Sequence, residues 1–244
     1  MANSNSLDLE STASPNQYAT ASDSASLSNL GDFTFECWFR PETVSVYQEL
    51  FAKVTGSAYE YEFAVASDNT VLVTFSGDGT AANRSQFRTT NAQITATATD
   101  YHIAAVVDVS VPSAVFYING ASVAVTNVLT ASTATSDTTA NFGIGTSDTG
   151  TPANFLDGLI DDVRIWKGTL RTGAQIDDNN NCALDGTEAG LTAYWKLDNV
   201  YTDSTANANT LTASGSPVFS TTVPFTANCT VAAGANNLLL LGVS

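Results

Sequence analysis

Residues 33–40 read Phe-Thr-Phe-Glu-Cys-Trp-Phe-Arg, with a large apolar side chain at almost every second place. A strand turns successive side chains to opposite faces. Phe33, Phe35, Cys37 and Phe39 therefore share one face, and Thr34, Glu36, Trp38 and Arg40 share the other. A helix does not gather residues spaced by two onto one side, so the stretch is one layer of a β structure that needs a second layer against its phenylalanines. Pro41 closes the run, because it brings no N–H to a ladder.

A second stretch, Asp157-Gly-Leu-Ile-Asp-Asp-Val-Arg-Ile-Trp, is an apolar strand with carboxylates set into it. Simple alternation places Leu159, Asp161, Val163 and Ile165 on one face and Ile160, Asp162, Arg164 and Trp166 on the other. Asp161 is then expected at the edge of the core, where a carboxylate needs a hydrogen-bond partner, a cation or a proton.

Similar short runs, divided by Gly, Asn, Asp and Ser clusters, predict strands at residues 6–10, 17–21, 49–54, 59–66, 71–76, 101–108, 114–118, 121–125, 191–197, 210–213 and 217–219. Residues 86–89 read as a short edge strand and 131–140 as a loop. Asn119-Gly120 predicts a tight hairpin. Residues 170–178 carry the one helical turn, which Asn179-Asn-Asn breaks. This is the pattern of a β-sandwich or jelly roll.

The chain has 244 residues, 43% of them hydrophobic, enough for one sizeable core. Its formal net charge is −16, which repels phosphate backbones and anionic membranes, so neither nucleic acid nor a bilayer is expected as a partner. The longest apolar run, residues 238–241, is too short for a membrane span. The opening Met1-Ala-Asn-Ser-Asn-Ser lacks a basic segment followed by an apolar one. The expectation is an extracellular or virion-surface location reached without a secretory signal peptide. Of three cysteines, Cys37 belongs to the phenylalanine row, which leaves Cys182 and Cys229 available to pair in an oxidising compartment. One histidine and no Cys-x-x-Cys argue against zinc.

Several stretches, taken in order, resemble the laminin-G-like, concanavalin-A-like lectin and glucanase domains. Phe33-Thr-Phe-Glu-Cys-Trp-Phe-Arg-Pro is similar to their early strand. Asp100-Tyr-His-Ile-Ala-Ala-Val-Val resembles their W-H-H-V-A-V strand, with Tyr101 where Trp is usual. Phe116-Tyr-Ile-Asn-Gly-Ala resembles their Y-V-N-G hairpin, and Phe142-Gly-Ile-Gly and the 155–166 stretch follow in the usual places. Glu188-Ala-Gly-Leu-Thr-Ala-Tyr-Trp-Lys-Leu-Asp and Asp203-Ser-Thr-Ala-Asn-Ala-Asn resemble a segment that often opens such domains; here it lies at the C-terminal side and is read as completing the same sandwich. The resemblance implies an all-β, concanavalin-A-like jelly-roll sandwich of two antiparallel sheets over residues 1–225, then a small-residue linker and apolar tail at 226–244. Family members bind carbohydrates, proteins or steroids, often with calcium.

Three kinds of chemistry follow as expectations. Oxygen-bearing side chains at Asp203, Asn207 and Asn209, closed by Asp161 and Asp162, would suit Ca²⁺, although the family's glycines are missing at 206 and 208. The alternative is a turn held by Asx hydrogen bonds. Trp38, flanked by Glu36 and Arg40, is the leading surface for stacking a sugar, with Trp166 and Tyr117 behind it; the alternative is packing against a covering loop. The Glu-x-Asp-x-x-Glu of the fold's glucanases is absent, and Glu60-Tyr-Glu62 reads as two solvated carboxylates. His102 has no Ser-His-Asp arrangement around it, so no enzyme activity is expected. The tail at 238–244 is either a last strand of its own sandwich or a strand given to a neighbouring subunit. The expected function is lectin-like recognition or decoration, on a phage particle. The alternative is a glycan-binding adhesin subunit of an extracellular fibre.

Overall fold

The computed structural model describes residues 3–56 and 58–224. Along the chain the strands are β1 (Ser6–Leu9), β2 (Tyr18–Ala21), β3 (Phe33–Pro41), β4 (Gln48–Thr55), β5 (Ala58–Val65), β6 (Val71–Ser76), β7 (Arg84–Thr89) and β8 (Tyr101–Asp108). Then come β9 (Ser113–Ile118), β10 (Ala121–Val123), β11 (Val125–Thr130), β12 (Phe142–Ile144), β13 (Gly158–Lys167), the helix α1 (Gly173–Asn179), β14 (Leu191–Trp195), β15 (Thr212–Ser214) and β16 (Val218–Ser220). They form two antiparallel sheets. The first runs β10-β9-β8-β3-β13-β1-β16, with β14 also paired to β13; the second runs β11-β7-β6-β5-β4-β12-β2-β15. The fold is the expected jelly-roll sandwich.

The two apolar rows do line one interior. Phe33, Phe35, Cys37 and Phe39 are buried in the same cluster as Val163 and Ile165. From the second sheet, Phe51 meets Phe35 with ring centroids 5.1 Å apart, and Phe142 stacks on Trp195 at 4.8 Å. Trp195 also donates its indole N–H to Asn209 O at 2.7 Å. The 191–220 region completes this one sandwich: β14 and β16 join the first sheet and β15 the second. At the Asn119-Gly120 turn both residues have positive φ, 50° and 79°, as the tight hairpin requires.

Three expectations need correction. Strand β13 does not alternate simply. Its register with β3 shifts between Asp161 and Arg164, and Asp162 sits at φ 53°, a β-bulge. Ile160 therefore faces the core together with Val163 and Ile165, while Asp161 and Arg164 face outward opposite Trp38 and Glu36. The bulge also divides the strand's partners: residues before it pair with β1 and residues after it with β14. Strand β7 is not an edge, because β11 covers its far side. Glu60 is not solvated: it is 1% exposed and its Oε1 lies 2.6 Å from Lys53 Nζ.

The 226–244 tail, Cys229 and the strand-donation question lie outside the described residues. Among the described residues, no helix is long and apolar enough to cross a membrane.

Candidate functional site

The outer face of the first sheet is divided between a covered half and an open half. After β13 the chain turns back over β3: Thr34 Oγ1 donates to Thr169 O at 2.8 Å and accepts from Arg171 N at 3.1 Å. Helix α1 starts there because Thr172 and Gln175 form a reciprocal capping box. This segment closes over charged residues. Glu36, fully buried, accepts from Arg171 Nη1 at 2.6 Å and lies 3.5 Å from both Arg164 Nη1 and His102 Nε2. Arg164 pairs with Asp162 and donates to the carbonyls of Asn179 at 3.0 Å and Cys182 at 2.6 Å. Burial alone would raise the Glu36 carboxyl; Arg171, the His102 hydrogen bond and Arg164 outweigh it and hold it far below the usual range. Burial raises Asp162, opposed by Arg164.

Glu36 is thus a structural counter-ion sealed from solvent. Trp38 is 7% exposed and its indole donates to Asn180 O at 2.7 Å, so the covering segment takes up much of its surface. Trp166 is buried under the Arg171 guanidinium, 4.1 Å from its ring centroid, and the half-buried Tyr117 packs against the α1 side.

Past the edge of that cover lies the open half. A shallow hollow with a volume of about 10 Å³ is lined by Ser6, Trp38, Arg40, Asp100, Leu159 and Asp161, among others. Arg40 Nη1 bonds Asp100 Oδ2 at 2.9 Å, each side chain 29% exposed. Asp161 Oδ2 accepts from Asn3 Nδ2 at 2.7 Å and Ser6 Oγ at 3.3 Å. Burial first, then Asp162, pushes the Asp161 carboxyl well up. Trp38 and Arg40, read from the sequence as one sugar surface, and Asp161, read as a metal ligand, meet in this one hollow.

Among the described residues, the carboxylates of the expected calcium set do not gather into one group. Asp161, Asp162 and Asp203 do not form a set with ligand atoms within 4.8 Å of one another. Asp203 is taken up by the chain's own donors: the N–H groups of Tyr194, Thr205 and Asn209, the Thr205 hydroxyl and the Asn209 amide. Asn209 Oδ1 accepts from Ser24 and Ser26, and Asn207 donates to Thr192 O. This loop is a hydrogen-bonded turn. Asp161 differs, because the neighbouring Asn3 Oδ1 is buried without a partner. Those oxygens suit a hard cation in kind. A separate group, Asp23, Glu60 and Asp137, does bring its oxygens together, but Lys53 Nζ stands 2.8 Å from Asp23 and 2.6 Å from Glu60 and supplies the positive charge there.

The outer face of the second sheet holds Glu62, which the sequence reading took for a solvated carboxylate, beside Glu49, which it passed over. Glu49 on β4 and Glu62 on β5 point outward, with Glu62 opposite Ala52 on one side and Thr74 on the other. Thr74 Oγ1 donates to Glu62 Oε1 at 3.0 Å and accepts from Gln86 Nε2 at 3.0 Å. Glu60 and Glu62, two residues apart, serve different ends: one is buried with Lys53, the other belongs to this open face.

A family model described as the concanavalin A-like lectin/glucanases superfamily matches residues 12–177, more than half of the chain. The chain belongs to that superfamily. Among solved structures, this superfamily member is similar to a candidate carbohydrate binding protein from Bacteroides ovatus, with TM-score 0.68 and 18% identity over 90% of this chain. It spans 60% of that protein's length. It is also similar to the heptameric SAP-like pentraxin of Limulus polyphemus, with TM-score 0.65, 14% identity, and coverage of 89% of this chain and 94% of that one. At these identities the likeness is one of fold. Comparison with the curated proteins finds no match.

Proposed function

We propose that this chain is a non-catalytic carbohydrate-recognition module, and that its glycan site is the hollow beside Trp38. One observation carries the reading: a half-buried Arg40–Asp100 pair, the edge of an indole and the buried carboxyl of Asp161 line one concave surface. Arginine and carboxylate together donate to and accept from vicinal hydroxyls, and an indole edge packs on sugar C–H groups. At about 10 Å³ the hollow is far below the roughly 300–1,000 Å³ of a drug-sized pocket, so it takes in a hydroxyl of a sugar whose ring lies across it. The carbohydrate-binding description of the similar Bacteroides ovatus protein supports the reading. The non-catalytic reading draws on the Glu60-Tyr-Glu62 stretch, in which Glu60 is sealed against Lys53.

Display on a phage particle or another extracellular surface is the setting we favour, since a −16 charge keeps such a module soluble and apart from nucleic acid. An adhesin subunit that joins neighbours through residues 238–244 is the second reading. Electron microscopy of the full chain separates the two: fibres support the adhesin, discrete particles the decoration protein. The glycan site is tested on an array with Trp38→Ala and Arg40→Ala, each checked for folding. Binding should fall at least tenfold in both; unchanged binding places the site elsewhere.

A further inference from the structure

The second sheet's outer face, opposite to the hollow, carries two carboxylates side by side. Glu49 is fully buried; the Phe63 N–H faces it, and no side chain donates to either of its oxygens. Glu62, half-buried, lies close enough for its charge to act on Glu49. Two tyrosines converge on Glu62: Tyr47 donates to its Oε1 at 3.4 Å, and Tyr59 shares a hydrogen bond with it. The floor between them is small, with Ala52 and Ala64 buried and the Thr74–Gln86 pair alongside. Arg84 is the basic residue near Tyr47, so two acids face one guanidinium.

A buried carboxylate with no cation against it and a second acid beside it is costly in the free protein. Aromatic faces next to carboxylates form the surroundings that hold an organic ammonium, by charge and by cation–π attraction. A hydroxyl and an amide at the floor add neutral contacts of the kind a sugar ring uses. We propose that this face binds a sugar bearing a free ammonium group, with Glu62 and Glu49 as its counter-ions and Tyr47 and Tyr59 as its walls. Tyr47, held by a long hydrogen bond, turns aside to let the ammonium reach Glu49. The site shares with the reading above only the idea that the ligand is a sugar; it lies on the other sheet, so either can fail alone.

Binding also moves a proton. Burial, and then Glu62, keep the Glu49 carboxyl raised well above its ordinary value. A cation placed against it drives that proton off into the buffer.

The test is calorimetry on the full chain at pH 6 and 150 mM salt, with a glucosamine tetramer, an N-acetylglucosamine tetramer and tetralysine, in two buffers of different ionisation enthalpy. The variants are Glu49→Gln and Glu62→Gln, which keep the side-chain shape, each checked by thermal melting. The proposal requires that the glucosamine tetramer bind at least tenfold tighter than the other two, that each variant lose at least tenfold, and that the proton release vanish in Glu49→Gln. Equal binding of the two tetramers overturns it. So does equal binding of tetralysine, whether the variants abolish it, which makes the face a peptide site, or leave it unchanged, which makes the effect bulk charge. Absence of binding at millimolar ligand overturns it too.

Discussion

Replacing Arg164 with methionine tests whether the sealed charges under α1 hold the covering segment down. The guanidinium pairs with Asp162, lies 3.5 Å from Glu36 and donates to two carbonyls of the 179–182 turn. Methionine fills much of the space but leaves Asp162 as a buried charge with no cation and strands both carbonyls. Glu36 keeps Arg171. Removing one partner of a buried pair costs about 3–5 kcal/mol. For a chain of this size each kcal/mol moves the melting temperature by about 2–4 °C, so the fall should be about 6–20 °C by calorimetry. Adding Asp162→Asn removes the stranded charge, and the double variant should be more stable than the sum of the two single losses by about 0.5–3 kcal/mol. A fall under about 3 °C, or strictly additive losses, would refute the idea that these groups act as a unit.

Other outcomes follow from single observations. Glu49→Gln should flatten the pH dependence of stability. A carboxyl raised in the fold stabilises fully below its unfolded value of about 4.3 and less as pH rises, so the variant should gain on the parent between pH 4 and 7 in thermal melts. Glu36 acts with the opposite sign: its lowered carboxyl stabilises above that value and loses its effect in acid, so Glu36→Gln should cost least at the lowest pH at which the chain still melts. Gly158→Ala should cost about 2–4 kcal/mol in urea unfolding, because φ is 134° and the new methyl would stand 2.3 Å from Arg40 O. If the Asp161–Asn3 oxygens take calcium, millimolar Ca²⁺ should raise the melting point of metal-stripped protein, and Asp161→Asn should abolish the rise.

The fold was legible because its strongest row carries its own period. Residues 33–40 alternate without interruption, and the Asn-Gly hairpin needs only the two residues at its tip. The bulge at Asp162 left no such mark: no glycine or proline stands there, and its cause is the need to hand one strand from β1 to β14 while keeping Ile160 and Val163 both inward. Strand β7 passed for an edge because its partner, residues 125–130, is mostly exposed and shows no alternation. Trp38, Arg40 and Asp161 could be singled out by residue type. Glu36 could not be recognised as sealed, because the Arg171 that neutralises it arrives 135 residues later. Glu49 and Glu62 sit on neighbouring strands whose register is itself shifted by a bulge, so no spacing in the chain marks them as a pair.

The pairing of β1 with β16 bears on how the module answers a pull. Ser6 lies directly across the ladder from Ser220, so both ends of the sandwich leave from the same corner. Tension on the two ends would load the ladder's rungs one after another, as a zipper opens, instead of shearing them together. A body strung in line by its ends would therefore yield at low force, whereas one hung as a side bead, with both connections at a single point, would carry the outer faces of its sheets undisturbed.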